Sequence, residues 1–189
     1  MPREMKKGFY FLAMISLISS FLSCEKDEPV VPNEEELITT VNYVLTPVGG
    51  GDEVLLSFQD LDGDGEGAPV VTNGVLASNE TYNGSLEFLN EAASPVEDIT
   101  EEVEEEGLDH QVFFQSDNSN LSVTYNDEDA DGNPLGLTTT VTTGDAGSGS
   151  ITIILRHEPS KTAAGVSDGD ISNAGGETDI EVTIPFDVE

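Results

Sequence analysis

The chain has 189 residues, of which 38 are acidic and 6 basic, a formal net charge of −32 at pH 7. Nucleic acid is excluded as a partner, because affinity there comes from neutralising phosphates with Lys and Arg; unassisted docking of the folded part on an anionic membrane is excluded too. Such a charge favours solubility and the accumulation of cations and opposes compactness by self-repulsion, so counterions, a bound metal or a basic partner must offset it.

In chain order the first element is an address. MKKGFYFLAMISLISSFLSC (5–24) has Lys6 and Lys7, an apolar run from Gly8 to Leu22, and the small residue Ser23 before Cys24. These are the n-region, h-region and cleavage zone of a bacterial secretion signal, and the apolar run is too short to span a bilayer as a mature helix. Cys24 is the single cysteine and stands where lipoproteins carry their acylated residue, which predicts removal of 1–23 and lipidation of Cys24. The mature chain then has no thiol to spare for a disulfide or a metal, and acyl chains contributing about 0.8 kcal/mol per buried methylene anchor it to a membrane. Residues 24–36, CEKDEPVVPNEEE, lack apolar periodicity and read as a flexible acidic tether reaching roughly 20 Å. The CEKDE start resembles the export signal that sends Bacteroidota lipoproteins to the outer face of the outer membrane, so a cell-surface location is expected. After Cys24 the only bases are Lys26, Arg156 and Lys161, against 37 acids (38 less Glu4), a net of −34.

From Leu37 on, about 150 residues remain, enough for one domain with a real core. Strand-length runs follow one another: LITTVNYVL, EVLLSF, APVVTNGVLA, GSLEFL, HQVFFQ, LSVTYN, LGLTTTVTT, SITIILR and DIEVTIPF, separated by Gly, Asn, Asp and Pro clusters. The pattern predicts an all-β protein, an antiparallel β-sandwich over 37–189. VLLSFQDLDGDG (54–65) also matches LSVTYNDEDADG (121–132), each followed by a Pro- or Gly-containing strand and then a GS strand at Gly84 or Gly149. An internal duplication of a four-stranded unit of roughly 67 residues is therefore expected, its halves packed as one body because each needs the other to cover its apolar face.

The first Asp loop, FQDLDGDGE, sets Asp60, Asp62 and Asp64 at alternate positions before Gly65. Calcium takes six to eight oxygens, and such a loop can turn three carboxylates inward while glycine permits the bend. The second loop, YNDEDADGN, repeats this with Asp127, Asp129, Asp131 and Gly132. Neither is an EF-hand: the twelfth position is Val71 or Thr138 instead of Glu, and the flanks are strands. The loops are either weak calcium sites helped by Glu66, Glu128 or backbone carbonyls, or plain turns in which Asp-Gly supplies the geometry.

Between the loops, SPVEDITEEVEEEGL (94–108) predicts one short acidic helix with Ser94 as N-cap, Pro95 at N1, Glu97 at N3 and Gly107 as its stop. Val96, Ile99 and Val103 share a face, and Leu108 is placed to close over the end. Glu104, Glu105 and Glu106 crowd the negative pole of the dipole, and Glu101–Glu105 and Glu102–Glu106 add like-charge repulsion.

Two histidines follow, His110 in GLDHQVFF and His157 in ILRHEPSK. Should their strands converge, His110, His157, Glu158 and one of Glu105 or Glu106 supply the ligand types of a zinc or copper site; the ordinary alternative is a surface or hydrogen-bonding role. EPSKTAAGVSDGDISNAGGET is long for a structureless connection and reads as a binding loop or lid. Its GVSDG (165–169) matches G-x-S-x-G, which carries a nucleophile only on the strand-to-helix elbow of an α/β-hydrolase, and no such elbow is expected. With no P-loop, dinucleotide fingerprint or H-E-x-x-H, and no Trp to support a sugar, no enzyme is expected.

LITTV, LSFQDLDGDGEGAPV, EEEGLDHQVFFQ, LRHEPSK and SNAGGETDIEVTIPF together resemble a group of small Bacteroidota envelope lipoproteins of unassigned activity, often encoded beside TonB-dependent outer-membrane receptors. The name type 1 periplasmic-binding-domain protein, given to some of them, does not fit a sequence without βα alternation. The resemblance implies a partner, a transporter for a scarce nutrient such as a metal. The expectation is thus a surface lipoprotein that binds a cation or metal ligand as accessory to a TonB-dependent transporter, with His110, His157 and Glu158 on Zn2+ or Cu2+ and the Asp loops on Ca2+. The alternative is a structural or adhesive surface lipoprotein with no specific ligand.

Overall fold

The computed structural model describes residues 37–63, 67–117 and 120–189. The expected signal sequence, Cys24 and the tether lie outside the described residues, as do Asp64, Gly65 and Glu66 of the first Asp loop. Eleven strands are present among the described residues: β1 (Thr40–Pro47), β2 (Val54–Gln59), β3 (Val70–Thr72), β4 (Gly74–Leu76), β5 (Thr81–Asn90), β6 (Glu97–Asp98), β7 (His110–Ser116), β8 (Leu121–Tyr125), β9 (Thr138–Thr143), β10 (Gly147–His157) and β11 (Glu177–Val188). One helix, α1 (Ile99–Glu105), precedes β7, and two 3-10 turns, Val166–Asp168 and Ile171–Asn173, lie between β10 and β11. No helix among the described residues is long and apolar enough to cross a membrane.

The strands form two sheets: a larger one ordered β3-β2-β1-β5-β9-β8, with β6 beside β5, and a smaller one ordered β4-β11-β10-β7. Every pairing is antiparallel except β4 with β11. APVVTNGVLA accounts for both β3 and β4: the run is one in the sequence but switches sheets at Asn73, leaving a short edge strand on each. Alternation sends Val41, Tyr43, Leu45, Leu56, Leu86, Phe88 and Val141 inward from the large sheet, to meet Val112, Ile151, Ile153, Leu155, Val182, Ile184 and Phe186 from the small one. This is the period-2 burial of a two-layer sandwich. At its centre the Tyr43 hydroxyl lies 2.6 Å from Thr139 Oγ1, and burial pushes its pKa well above the ordinary value. Gly84 sits beneath that pair, where a Cβ would collide with Thr139 Oγ1 and the Tyr43 ring.

The two matching sequence halves begin alike and then part. Hairpins β2–β3 and β8–β9 both belong to the large sheet, at its opposite ends. The third strands, β5 and β10, which carry Gly84 and Gly149, lie in different sheets.

The helix starts later than the sequence predicts. Its N-cap is Asp98, whose side chain accepts from the Thr100 N–H, instead of Ser94. Glu97 and Asp98 are extended because they pair with Asn90 and Leu89 of β5, so the expected first turn is spent on the sheet. The Thr100 hydroxyl bridges to the Phe88 N–H at 3.0 Å and the Phe88 carbonyl at 3.2 Å, docking α1 on β5. Ile99 and Val103 are buried as the pattern requires, but Val96 and Leu108 are exposed.

Candidate functional site

Apart from the first Asp loop, the candidate groups lie around α1, the second Asp loop (126–136) and the connection from β10 to β11 (158–176). That connection is no bare loop. Val166 and Ala174 pack on Phe113 and Ile154 of the small sheet's outer face, with Ala163 and Ile171 beside them, so it covers a second, smaller apolar cluster. Gln111 Nε2 ties the connection down by donating to the Val166 carbonyl at 3.0 Å.

The cation of the second Asp loop is the protein's own. Lys161 extends from the connection with its ammonium buried, donating to the Gly107 carbonyl (2.6 Å), Asp129 Oδ2 (2.8 Å) and the Pro134 carbonyl (3.3 Å). The paired side chains are 5% and 1% exposed, so this ion pair is largely shielded from water. Burial raises the Asp129 pKa, but hydrogen bonds from Lys161 and from the Asn133 and Asp131 N–H groups outweigh it, and the carboxyl sits below its ordinary value. Asp127 is also spent on the fold, accepting from the Gly136 and Thr138 N–H groups at 2.7 Å each. Asp131 is exposed, and its N–H donates to Asp129 Oδ1 at 2.9 Å. The carboxylates of Asp127 and Asp129 are therefore both taken up by the protein's own donors. By capping Gly107, Lys161 also supplies the positive charge that the helix end lacks within α1, where the last turn has no basic residue.

The first Asp loop is built otherwise. Asp62 Oδ2 accepts from the Gly67 N–H at 3.0 Å. Partial desolvation and a hydrogen bond with Asp62 raise the Asp60 pKa, while the Gly67 N–H and the bond from Asp60 lower that of Asp62. Here two carboxyls converge.

His110 and His157 do meet, as cross-strand partners of β7 and β10, with rings stacked 4.9 Å apart at 14°. The buried His110 Nδ1 is 3.2 Å from the Glu106 carbonyl, to which it can donate. Its Nε2 faces Asp179 Oδ2 at 3.8 Å. The bulge between Leu155/Ile180 and Arg156/Thr178 makes Asp179 the extra residue of β11. The expected carboxylate, Glu158, is exposed instead, with φ +50°, and its N–H is held by the Asp109 carbonyl at 2.6 Å. Near-parallel stacked rings do not point their nitrogens at one ion, because an ion in the plane of one ring lies out of the plane of the other; a metal held by both requires one ring to turn. Among the described residues no group of three or more His, Cys, Asp or Glu is arranged to hold a metal ion.

A cleft of about 490 Å³ opens between α1 and the second Asp loop. Glu104 and Glu105 stand on its helix side and Glu128 on its loop side, over Leu86, Leu135 and Leu137. A second, of about 390 Å³, adjoins the far face of the same loop and reaches Ser167. Ser167 is exposed on a 3-10 turn, so the strand-to-helix elbow that G-x-S-x-G needs is absent there. Tyr125, beside that cleft, donates to the Val112 carbonyl at 2.8 Å, and burial pushes its pKa up to about 12.

Neither Lys161 nor Asp179 was singled out as a site residue by sequence reasoning. Lys161 left one signal: a folded body with only two bases, of which one follows a strand closely. Asp179 left none, since the bulge that turns it toward His110 is a matter of register. In class the molecule is an acidic, two-sheet β-sandwich. No family model matches the chain, and no curated protein matches it. Among solved structures, domains 4 and 5 of the S-layer protein SbsC match over 77% of this chain and 75% of that one, at 16% identity and a TM-score of 0.28; a likeness at that level carries no argument.

Proposed function

We propose that this protein is a capture module: a lipoprotein anchored through Cys24 on the outer face of the outer membrane, whose acidic sandwich collects a cation or a positively charged ligand for a neighbouring TonB-dependent transporter. The observation that carries the reading is where the body's own bases go. From Leu37 onward 31 acids (37 less Glu25, Asp27, Glu28, Glu34, Glu35 and Glu36) stand against Arg156 and Lys161. Lys161 is buried on Asp129, and Arg156 is half-buried and donates to the Gly176 carbonyl at 3.4 Å. The exterior is left polyanionic, and a field of one sign concentrates ions of the other. His110, His157 and Asp179, with one ring turned, supply the donor set for Zn2+ or Cu2+, and the converging Asp60 and Asp62 suit weak Ca2+.

The test uses tag-free protein in low-ionic-strength buffer. We expect retained metal on elemental analysis and a fall in Tm of more than about 2 °C on adding EDTA, since removing a bound ion withdraws its linked stabilisation. The His110→Ala/His157→Ala variant is expected to lose zinc or copper affinity while keeping the calcium response. An unchanged Tm with no retained ion overturns the reading and leaves the structural or adhesive alternative.

A further inference from the structure

The cleft between α1 and the second Asp loop has a chemistry more specific than a field. Its floor is apolar: Leu86, Leu135 and Leu137 line it, and Leu108, half exposed at 51%, forms its lip. A hydrated divalent ion gains nothing from leucines, whereas methylenes gain roughly 25 cal/mol for each Å² removed from water. The walls are anionic on both sides, Glu104 and Glu105 on one and Glu128 on the other. A ligand complementary to this cleft carries positive charge at both ends of an aliphatic chain, and about 490 Å³ lies in the size range of small-molecule sites.

An independent observation points the same way. Gly107 and Asp129 both line the cleft, and both already hold an alkylammonium, the Lys161 Nζ, at 2.6 and 2.8 Å. The back of the cleft thus binds the end group of a butylammonium chain supplied by the protein itself. We propose that the open side takes the same group from solution, as a linear polyamine with its methylenes on the leucines and its ammonium groups on Glu104, Glu105 and Glu128. This rests on the cation-capturing reading above and names the ligand class of one cleft.

Isothermal titration of the full chain with spermidine, at matched ionic strength, tests it. One spermidine is expected per protein. Glu104→Gln/Glu105→Gln is expected to weaken binding about tenfold, because two charge-assisted contacts are lost. Leu108→Ser, which changes no charge, is expected to weaken it several-fold. Asp52→Asn/Glu53→Gln removes the same charge from exposed positions elsewhere and is expected to leave it within about twofold, as a distant screened charge should. All four glutamate and aspartate targets are exposed, so each variant is expected to fold. Equal weakening by the Asp52/Glu53 pair, displacement of spermidine by calcium at equal charge concentration, or no stoichiometric binding each overturns the proposal. If spermidine fails while metal is still retained, only the polyamine falls; if both fail, the cation reading falls with it.

Discussion

The two Asp loops share a pattern and differ in what neutralises them. In the second, Lys161 arrives from another part of the chain and fills the cation position, while Asp127 and Asp129 cap backbone N–H groups. In the first no lysine arrives among the described residues; Asp60 and Asp62 lean on each other. The same alternate-carboxylate motif is thus a fold-locking device at one end of the large sheet and an open anionic turn at the other. What separates them is the 158–176 connection, which packs beside one loop and, among the described residues, has no counterpart beside the other.

The comparison is broken most sharply by removing the lysine. Lys161→Met strands the buried Asp129 carboxylate and is expected to cost about 3–5 kcal/mol, the usual penalty for breaking a buried pair from one side, read from denaturant unfolding. Adding Asp129→Leu to that variant should restore much of the loss, because no buried charge then remains. Asp62→Asn in the first loop is expected to leave the unfolding midpoint where it was.

Glycine substitutions come next. Gly136 ends the second loop at φ +99°, and a Cβ there would lie 2.9 Å from Val112 Cβ and 3.0 Å from the Tyr125 ring. Gly136→Ala combines left-handed backbone with a clash and should cost more than the ~1–2 kcal/mol of the backbone term alone. Gly63, at φ +58° with nothing among the described residues within 4 Å of the added atom, should pay only that term, again measured by denaturant unfolding.

Acid should also separate the loops. Asp129 has a folded pKa below its unfolded one, so its contribution is fully present above the ordinary carboxylate pKa and is lost as pH falls through the depressed value. Carboxyl NMR titration should find Asp129 and Asp62 protonating below the ordinary range and Asp60 above it. The smallest effect is calcium's: millimolar Ca2+ should shift Asp60 and Asp62 resonances and erase the raised Asp60 pKa, while leaving Asp127 and Asp129 unmoved. Shifts in the second loop of equal size would end the distinction.

Much of the fold was legible because alternation is a local signal. The nine strand-length runs each contain a strand, and Val41, Tyr43 and Leu45 of β1, Leu86 and Phe88 of β5, Ile151, Ile153 and Leu155 of β10 and Val182, Ile184 and Phe186 of β11 point inward as their spacing demands, while Ile154 faces the outer cluster. The helix start was misread because Ser94-Pro95 with Glu97 satisfies the local rules for a cap, while β5 competes for Glu97 and Asp98 through hydrogen bonds no local rule contains. At the site, His110 and His157 could be picked out by residue type, but not their stacking, nor Asp179 as the neighbouring carboxylate, because a one-residue bulge decides which side chain turns inward.

The sequence by itself determined the charge, the all-β class and the inward face of the longer alternating strands, since composition and period-2 alternation act residue by residue. Tertiary structure alone decided which carboxylates remain open to an outside cation. Lys161 meets Asp129 across 32 positions of chain and Gly107 across 54, and only the packing of the 158–176 connection over Phe113 and Ile154 brings that ammonium to the loop.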